Sequence, residues 1–270
     1  MLLEYLTIII LSVVQGITEL VPISSSGHLV VLHSVLPEIN INEFVFDVIL
    51  HLGTLLAVMV FFWSDLLKIF INWLKSFLNL KHEASEAKLG WLLIISTIPA
   101  AIAGYFFDDF IETALRSNLI VAGMLIIVGA LFLLAEKYAR QNNNIDTLNS
   151  KNALFIGIAQ AIALIPGTSR SGITIIAGMA SGLNREAALR FSFLISVPII
   201  LGANIKKIPD VWPAILNGEI LSFVMSIVIS FITAYFVIKY LLIYVKNNSL
   251  NIFAYYRFVL AIIVLILYFV

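Results

Sequence analysis

Apolar stretches of about 20 residues, the length a helix needs to cross a bilayer core of about 30 Å, recur from one end of this chain to the other. Six are long enough to cross: Phe44 to Trp63, Leu89 to Phe107, Leu119 to Ala135, Ala188 to Ile205, Ile220 to Tyr244 and Ile252 to Val270. Two further regions, Leu6 to Leu36 and Ala153 to Gly182, are apolar arms interrupted at Pro22 to Gly27 and at Pro166 to Gly172. Proline cannot continue the helical hydrogen bonding and glycine frees the backbone, so both read as re-entrant helix-turn-helix hairpins. Backbone broken at membrane depth is tolerated only where protein or a wet cavity covers it. The pattern predicts an all-α integral membrane fold, with six transmembrane helices and two re-entrant helical hairpins.

Composition agrees. Of 270 residues, 61% are hydrophobic and 12% charged, with mean hydropathy +1.05, against about 45 to 50% apolar in a soluble domain. The zero net charge and the absence of any basic run give no sign of nucleic acid binding. With no cysteine, a disulfide, a thiolate nucleophile and a thiolate metal site are all excluded. Met1 to Val14 is apolar but carries Glu4 and lacks a basic start and a small-residue cleavage site, so it reads as part of the mature fold. Between Asp65 and Lys88, Phe70, Trp73, Leu74 and Phe77 recur at helical spacing among lysines, which suggests an interfacial helix.

The two interrupted regions are related. Gln15 and Gln160 are 145 positions apart, and the same offset aligns Gly27 with Gly172 and Phe46 with Phe191. If each half holds one hairpin and three crossings, the odd number inserts the second half upside down. A single polytopic domain of two pseudo-repeats, about 1–145 and 146–270, is the inverted-topology architecture, in which sites form near the midplane from broken helices. Charge gives an independent view. Eleven basic residues, Lys68, Lys75, Lys81, Lys88, Lys137, Arg140, Lys151, Arg185, Arg190, Lys239 and Lys246, fall in loops on one side, and only Arg116, Lys206 and Lys207 on the side of the termini. The positive-inside rule makes the eleven-residue side cytoplasmic. Arg170 and Arg257 lie inside apolar segments and need an explanation.

The first hairpin carries Glu19, Ser24, Ser25, Ser26, Gly27 and His28. A carboxyl in an apolar context suits proton transfer unless a cation holds it ionised. The hydroxyl-bearing turn can aim backbone amides at an anion, and His28, three residues after Ser25, is spaced to pair imidazole with hydroxyl. The plainer reading is that the serines and Gly27 cap a kink and His28 bonds a neighbouring helix. The second hairpin sets Arg170 among Thr168, Ser169 and Ser171, between Gly167 and Gly172. Its guanidinium fork matches a pair of phosphate oxygens. The alternative is a salt bridge from Arg170 to Glu19. Arg257 reads either as a second phosphate contact or as a side chain snorkelling to the interface. His33, His51 and His82 read as structural or solvated.

At these residues the chain resembles a family. Glu19-Leu-Val-Pro-Ile-Ser-Ser-Ser-Gly-His28 with Pro166-Gly-Thr-Ser-Arg-Ser-Gly172 is similar to the bacterial undecaprenyl-pyrophosphate phosphatases of the bacitracin-resistance type. The similarity extends through Phe46 to Thr54, Arg190 to Pro198 and Tyr256-Arg257. The resemblance implies hydrolysis of a C55 polyprenyl diphosphate lipid to its monophosphate and phosphate, recycling the carrier for cell-wall synthesis. It also implies a multi-pass inner-membrane protein, an active site opening outward, and a divalent cation, magnesium or calcium. By position, the family's catalytic residues fall on Glu19, Ser25, His28 and Arg170. The family's supporting contacts fall on Ser26, Ser169 and Arg257 and the cation on Glu19, while Ser24, Gly27, Thr168 and Ser171, in the same two turns, are further candidate substrate contacts read from the hairpins. Gln15 stands where family members carry Glu or Gln, which here removes a second carboxylate. Asp47 near the start of its span is more often a solvated or capping residue.

The expected mechanism has Arg170 and hairpin amides hold the diphosphate, a cation near Glu19 offset its charge, Ser25 or a water attack in line, and His28 relay the proton. The chief rival is a lipid transporter or flippase, since broken helices in inverted repeats are transporter architecture. The other integral-membrane lipid phosphatases also use a Ser-Gly-His element, but they place a histidine where Ile176 stands here. The partners implied are the lipid diphosphate and membrane lipids. A homodimer is an arrangement the sequence leaves open.

Overall fold

The computed structural model describes residues 2–39, 41–107, 110–111, 114–115, 117–216 and 219–269. Arg116, counted above with the terminal side, and Val270, the expected end of the last span, lie outside them. The first hairpin is α1 (Leu2–Thr18) and α2 (Ser25–Val35), followed by α3 (Glu43–Phe61), α4 (Trp63–Phe77), α5 (Ala84–Phe106) and α6 (Asn118–Tyr138). After a 3₁₀ turn at Ile145–Thr147, the second hairpin is α7 (Ser150–Ile162) and α8 (Arg170–Ala180), then α9 (Arg185–Leu216), α10 (Ile220–Asn247) and α11 (Asn251–Phe269).

Five of these helices, α5, α6, α9, α10 and α11, are long and apolar enough to cross a membrane, and α3 makes a sixth when joined to α4 across a bend of 79°. The chain is thus a multi-pass membrane protein. The sixth span ends earlier than Trp63, which instead begins α4. That helix is strongly amphipathic, with Trp63, Phe70 and Phe77 exposed and Lys68 and Lys75 between them. A one-sided apolar stripe turned across the axis of the spans suits a helix lying in an interface. The fourth expected span, Ala188 to Ile205, is the front part of a helix running on to Leu216 through Pro198, Pro209 and Pro213. Each proline removes one backbone bond, but the turns between them keep theirs.

The basic loops expected on one side do meet at one end of the bundle. Arg185 Nη2 lies 2.6 Å from Glu136 Oε2, Arg190 lies 2.8 Å from Asp65, Lys246 lies 3.2 Å from Glu186, and Lys88 Nζ donates to Asp146 O at 2.8 Å. Glu136 Oε1 also accepts the Leu250 backbone N–H at 2.8 Å, so one carboxylate ties α6 to the starts of α9 and α11.

Between the spans, α1 packs along α10 and α7 along α5, while α6 pairs with α11 and α9 lies against α3 and α8. The two broken tips have the same local build. Ser24 (φ 75°) and Ser169 (φ 69°) both adopt left-handed backbone, unusual for a residue with a Cβ. Each caps the helix after it: Gly27 N donates to Ser24 Oγ at 3.3 Å and Gly172 N to Ser169 Oγ at 3.1 Å.

Candidate active site

Glu19 sits just beyond the end of α1, 7% exposed, and its carboxylate collects donors from four parts of the chain. Oε2 accepts Ser25 Oγ–H at 2.8 Å and Gln15 Nε2–H at 3.2 Å, and lies 3.3 Å from His51 Nε2. Oε1 lies 2.8 Å from Arg170 Nη2. Burying a carboxylate is costly unless it is paired and hydrogen-bonded, and this one is both. Arg170 begins α8, where the positive end of the helix dipole disfavours a cation, so an anion beside it is required. Its Nη1 donates to Ser192 O at 3.2 Å. Two of the five guanidinium donors are thereby engaged.

The tips also bond each other directly. Ser26 Oγ accepts the Gly167 backbone N–H at 3.1 Å, and Ser171 Oγ donates to Glu19 O at 3.2 Å. Gly167 is required there: its φ is +89°, and a Cβ would lie 2.5 Å from Val121 O. Because Ser25 and Arg170 are the first residues of α2 and α8, the amino ends of two helices flank the Glu19 carboxylate, an electrostatic setting suited to an anionic ligand.

A cavity of about 310 Å³ opens at this junction, with Glu19, Ser25, Ser26, Ser169 and Arg170 in its wall. These five are sequence-expected site residues that the fold does bring together. The other six lie behind the wall. Ser24 is fully buried as the cap of α2, Gly27 packs against Val121 and Leu125, and Thr168 Oγ1 donates to Ile162 O at 3.4 Å. Ser171 holds the Glu19 backbone rather than facing the opening.

Two expectations are corrected. His28 does not bond Ser25. Its Nδ1 lies 2.7 Å from Ser24 O and its Nε2 lies 2.8 Å from Tyr256 Oη. A carbonyl only accepts, so Nδ1 carries the proton and in the neutral ring Nε2 accepts from the tyrosine. Both nitrogens are committed in this arrangement, so His28 links the first tip to α11 rather than pairing with Ser25. Arg257 does not snorkel to the interface, and its donors are taken by main-chain carbonyls rather than left open to the cavity. It is fully buried, and its guanidinium donates to five carbonyls: Pro22 O at 3.4 Å, Gly167 O at 2.9 Å, Thr168 O at 3.0 Å, Met124 O at 3.3 Å and Leu125 O at 3.3 Å.

His51, read from sequence as structural or solvated, is instead part of the site. It lines the cavity, and its Nδ1 donates to Asp47 O at 2.6 Å. With that proton fixed, a bare Nε2 lone pair facing a carboxylate would be repulsive, so the contact to Glu19 carries a proton between the two groups. Nothing in the sequence pairs residues 19 and 51; only the packing of α3 beside the first tip does so. Gln160, Asn204 and Lys207 also line the cavity and were not singled out as site residues.

A divalent cation needs several oxygen ligands, of which magnesium often takes most from water and substrate. Among the described residues no three His, Asp or Glu side chains are grouped so as to hold a metal ion. Glu19 is the one carboxylate in the cavity wall. Beside it, the amide of Gln15 has a buried Oε1 with no hydrogen-bond donor among the described residues, a neutral oxygen of the kind a hard cation accepts. This donor set fits a cation that draws its remaining ligands from water and phosphate.

Residues 8–263 match the family model described as bacitracin resistance protein BacA. Relatives named undecaprenyl-diphosphatase include those of Rubrobacter xylanophilus, 43% identical over 97% of this chain and 98% of the relative. Those of Thermodesulfovibrio yellowstonii are 42% identical over 98% of both, and those of Desulforudis audaxviator 39% over 96% of both.

Proposed function

The chain belongs to the bacitracin resistance protein BacA family, and we propose from that membership and from the site that it hydrolyses undecaprenyl diphosphate to undecaprenyl phosphate and inorganic phosphate, returning the carrier to cell-wall synthesis and conferring bacitracin resistance. The observation that carries the reading is the convergence of Ser25, Glu19 and Arg170 from two separate hairpins on one cavity. A lipid transporter or flippase would use the same broken helices but has no need of a hydroxyl poised on a carboxylate.

In this reading the diphosphate enters between the amino ends of α2 and α8, and the Arg170 donors not engaged by Glu19 and Ser192 take the phosphate oxygens. Ser25 Oγ attacks the terminal phosphorus as its proton passes to Glu19, the acceptor 2.8 Å away. Undecaprenyl phosphate leaves, and water then hydrolyses the phosphoserine. The Glu19–His51 pair already shares one proton, so the Ser25 proton is taken up as His51 releases one from its ring toward a second, more polar cavity of about 620 Å³ that it also borders. Most of the acceleration comes from positioning and charge stabilisation. A divalent cation, magnesium or calcium, held by Glu19 and the Gln15 carbonyl would supply further charge neutralisation.

The substrate's two ends have separate paths. An apolar cleft of about 510 Å³ between α3, α9 and α10, walled by Leu52, Ile205, Trp212 and Phe223, shares Val48 and Asn204 with the site cavity and suits a prenyl chain. An opening toward the outer face is supported by α9. Lys207, in the cavity wall, lies about 33 Å along the helix from Arg185 in the basic end of the bundle. On the positive-inside rule that end is cytoplasmic, in keeping with an inner-membrane protein. The inverted repeat is supported by the matched caps at Ser24 and Ser169 and by the reciprocal packing of α1 on α10 and α7 on α5.

The test is phosphate release from undecaprenyl diphosphate by the purified protein in detergent, with and without a chelator. Wild type is expected to release phosphate with no gradient present, and Ser25→Ala and Glu19→Ala to lose about a thousandfold. Full activity in either variant sinks that residue's role, and an inactive wild type with and without chelator sinks the enzyme reading. His51→Ala is expected to keep KM near wild type and lower kcat by about 100-fold, the lower end of the scale of one proton-transfer group. An unchanged kcat would return His51 to a purely structural part.

A further inference from the structure

Gln160 belongs to the last turn of α7, is 1% exposed and shares the cavity wall with Glu19, Ser25 and Arg170. Its Nε2 donates to Ser96 O at 3.1 Å. A main-chain carbonyl can only accept, so this bond fixes which end of the amide faces α5 and leaves Oε1 as the free end. The two helices approach this closely because position 157 is glycine: a Cβ there would lie 2.7 Å from Ser96 O and 2.9 Å from Ser96 Cα. Gln160 Oε1 is buried, and no described residue donates to it. Buried acceptors without donors are costly, and the opening that Gln160 borders is the site cavity.

The chemistry of the missing donor is restricted. Phosphate oxygens are acceptors, with the second pKa of a phosphate ester near 6, and a prenyl chain donates nothing. Water donates twice. The phosphatase reading leaves the water of the second step without a holder, since Arg170 and the helix amino ends serve the phosphate and Glu19 serves as the base.

We propose that Gln160 positions the water that hydrolyses the phosphoserine form of Ser25, an assignment that rests on the phosphatase reading above. One water hydrogen bonds Gln160 Oε1, and the other points to Glu19. The water oxygen bonds phosphorus as the Ser25 Oγ–P bond breaks. One water proton stays on the released phosphate, and the other passes to Glu19 and from there to Ser25 Oγ. The amide carbonyl takes no proton; it orients. Gln15, the equivalent residue 145 positions earlier, instead donates to the Glu19 carboxylate, so the two related glutamines do different work.

Methanol separates this role from a structural one, because its single hydroxyl hydrogen must go to the base and leaves none for Gln160. The purified full chain is given undecaprenyl diphosphate in water–methanol mixtures, and phosphate and methyl phosphate are both measured. In Gln160→Leu, phosphate release is expected to fall about 10 to 100-fold with KM little changed, and the ratio of methyl phosphate to phosphate to rise about tenfold. Acid-trapped phosphoserine from substrate labelled in its terminal phosphate should rise as well. Gln160→Glu, buried and therefore protonated, can donate its O–H to Ser96 O and keep its carbonyl as the acceptor, and should hold the ratio near wild type. If both products fall in parallel in Gln160→Leu and no phosphoserine accumulates, Gln160 is merely structural and the proposal is overturned. A changed cation requirement in Gln160→Leu, read by chelator titration, overturns it in favour of a metal ligand. A wild type that releases no phosphate overturns the phosphatase reading itself, whereas the first two results leave that reading standing.

Discussion

Arg170→Ala is expected to lower phosphate release by about a thousandfold or more, and Arg170→Lys to recover only a small part of it. The expectation follows from placement. At the first position of α8 the guanidinium is held by Ser192 O at 3.2 Å and by Glu19 at 2.8 Å, so its plane is set before any phosphate arrives. A transferring phosphoryl group spreads its charge over several oxygens, and a fixed planar fork stabilises that charge without reorganisation. Lysine restores the charge as a point on a flexible stem, without the fork. The same substitution leaves Glu19 without its 2.8 Å guanidinium partner, so the loss has two parts, of which a double-mutant cycle with Glu19→Gln isolates the one carried through Glu19. The two losses should be far from additive, because the residues act as a unit. An Arg170→Ala variant within about tenfold of wild type would remove Arg170 from phosphate binding, and fully additive losses would mean that it acts independently of Glu19.

Much of this was legible in the chain, and what was not has identifiable physical causes. Hydrophobic length located the spans because a bilayer fixes the length of a crossing helix. Pro22, Pro166 and the serine clusters located both tips because backbone rules are local. The Glu19–Arg170 pair was foreseen as the alternative to phosphate binding, and the fold makes it part of the site. His51 and Gln160 were missed for a different reason. Each owes its role to a neighbour far away in sequence, Glu19 in one case and Ser96 in the other, and a lone histidine or glutamine on an apolar helix carries no local mark. His28 and Arg257 have partners other than those expected, for the opposite reason. A polar group in an apolar segment was read as facing a ligand, when the broken backbone beside it was the group needing partners. Hairpin tips within a membrane expose carbonyls that no helix satisfies, and the protein spends Arg257 on three of them, Pro22, Gly167 and Thr168, while His28 adds a second donor to Ser24 O.

Arg257 makes that requirement measurable. Its five carbonyl partners come from both tips, Pro22, Gly167 and Thr168, and from the middle of α6, Met124 and Leu125. Removing the guanidinium leaves three tip carbonyls without a donor, at about 1 to 3 kcal/mol for each group left unsatisfied. Arg257→Leu is therefore expected to destabilise the fold by about 3 to 5 kcal/mol, the range for breaking a buried charged network. Thermal unfolding in detergent should show a clear fall in Tm. Arg257→Lys should recover little, since one ammonium cannot reach five carbonyls on three elements. Activity follows from the same geometry: with the tips released, Ser26 and Gly167 lose the register that their 3.1 Å bond records, and Arg170 no longer meets Glu19. Below its Tm, Arg257→Leu should therefore lose kcat more than it changes KM. A variant with unchanged Tm and a raised KM alone would mean that Arg257 binds substrate after all.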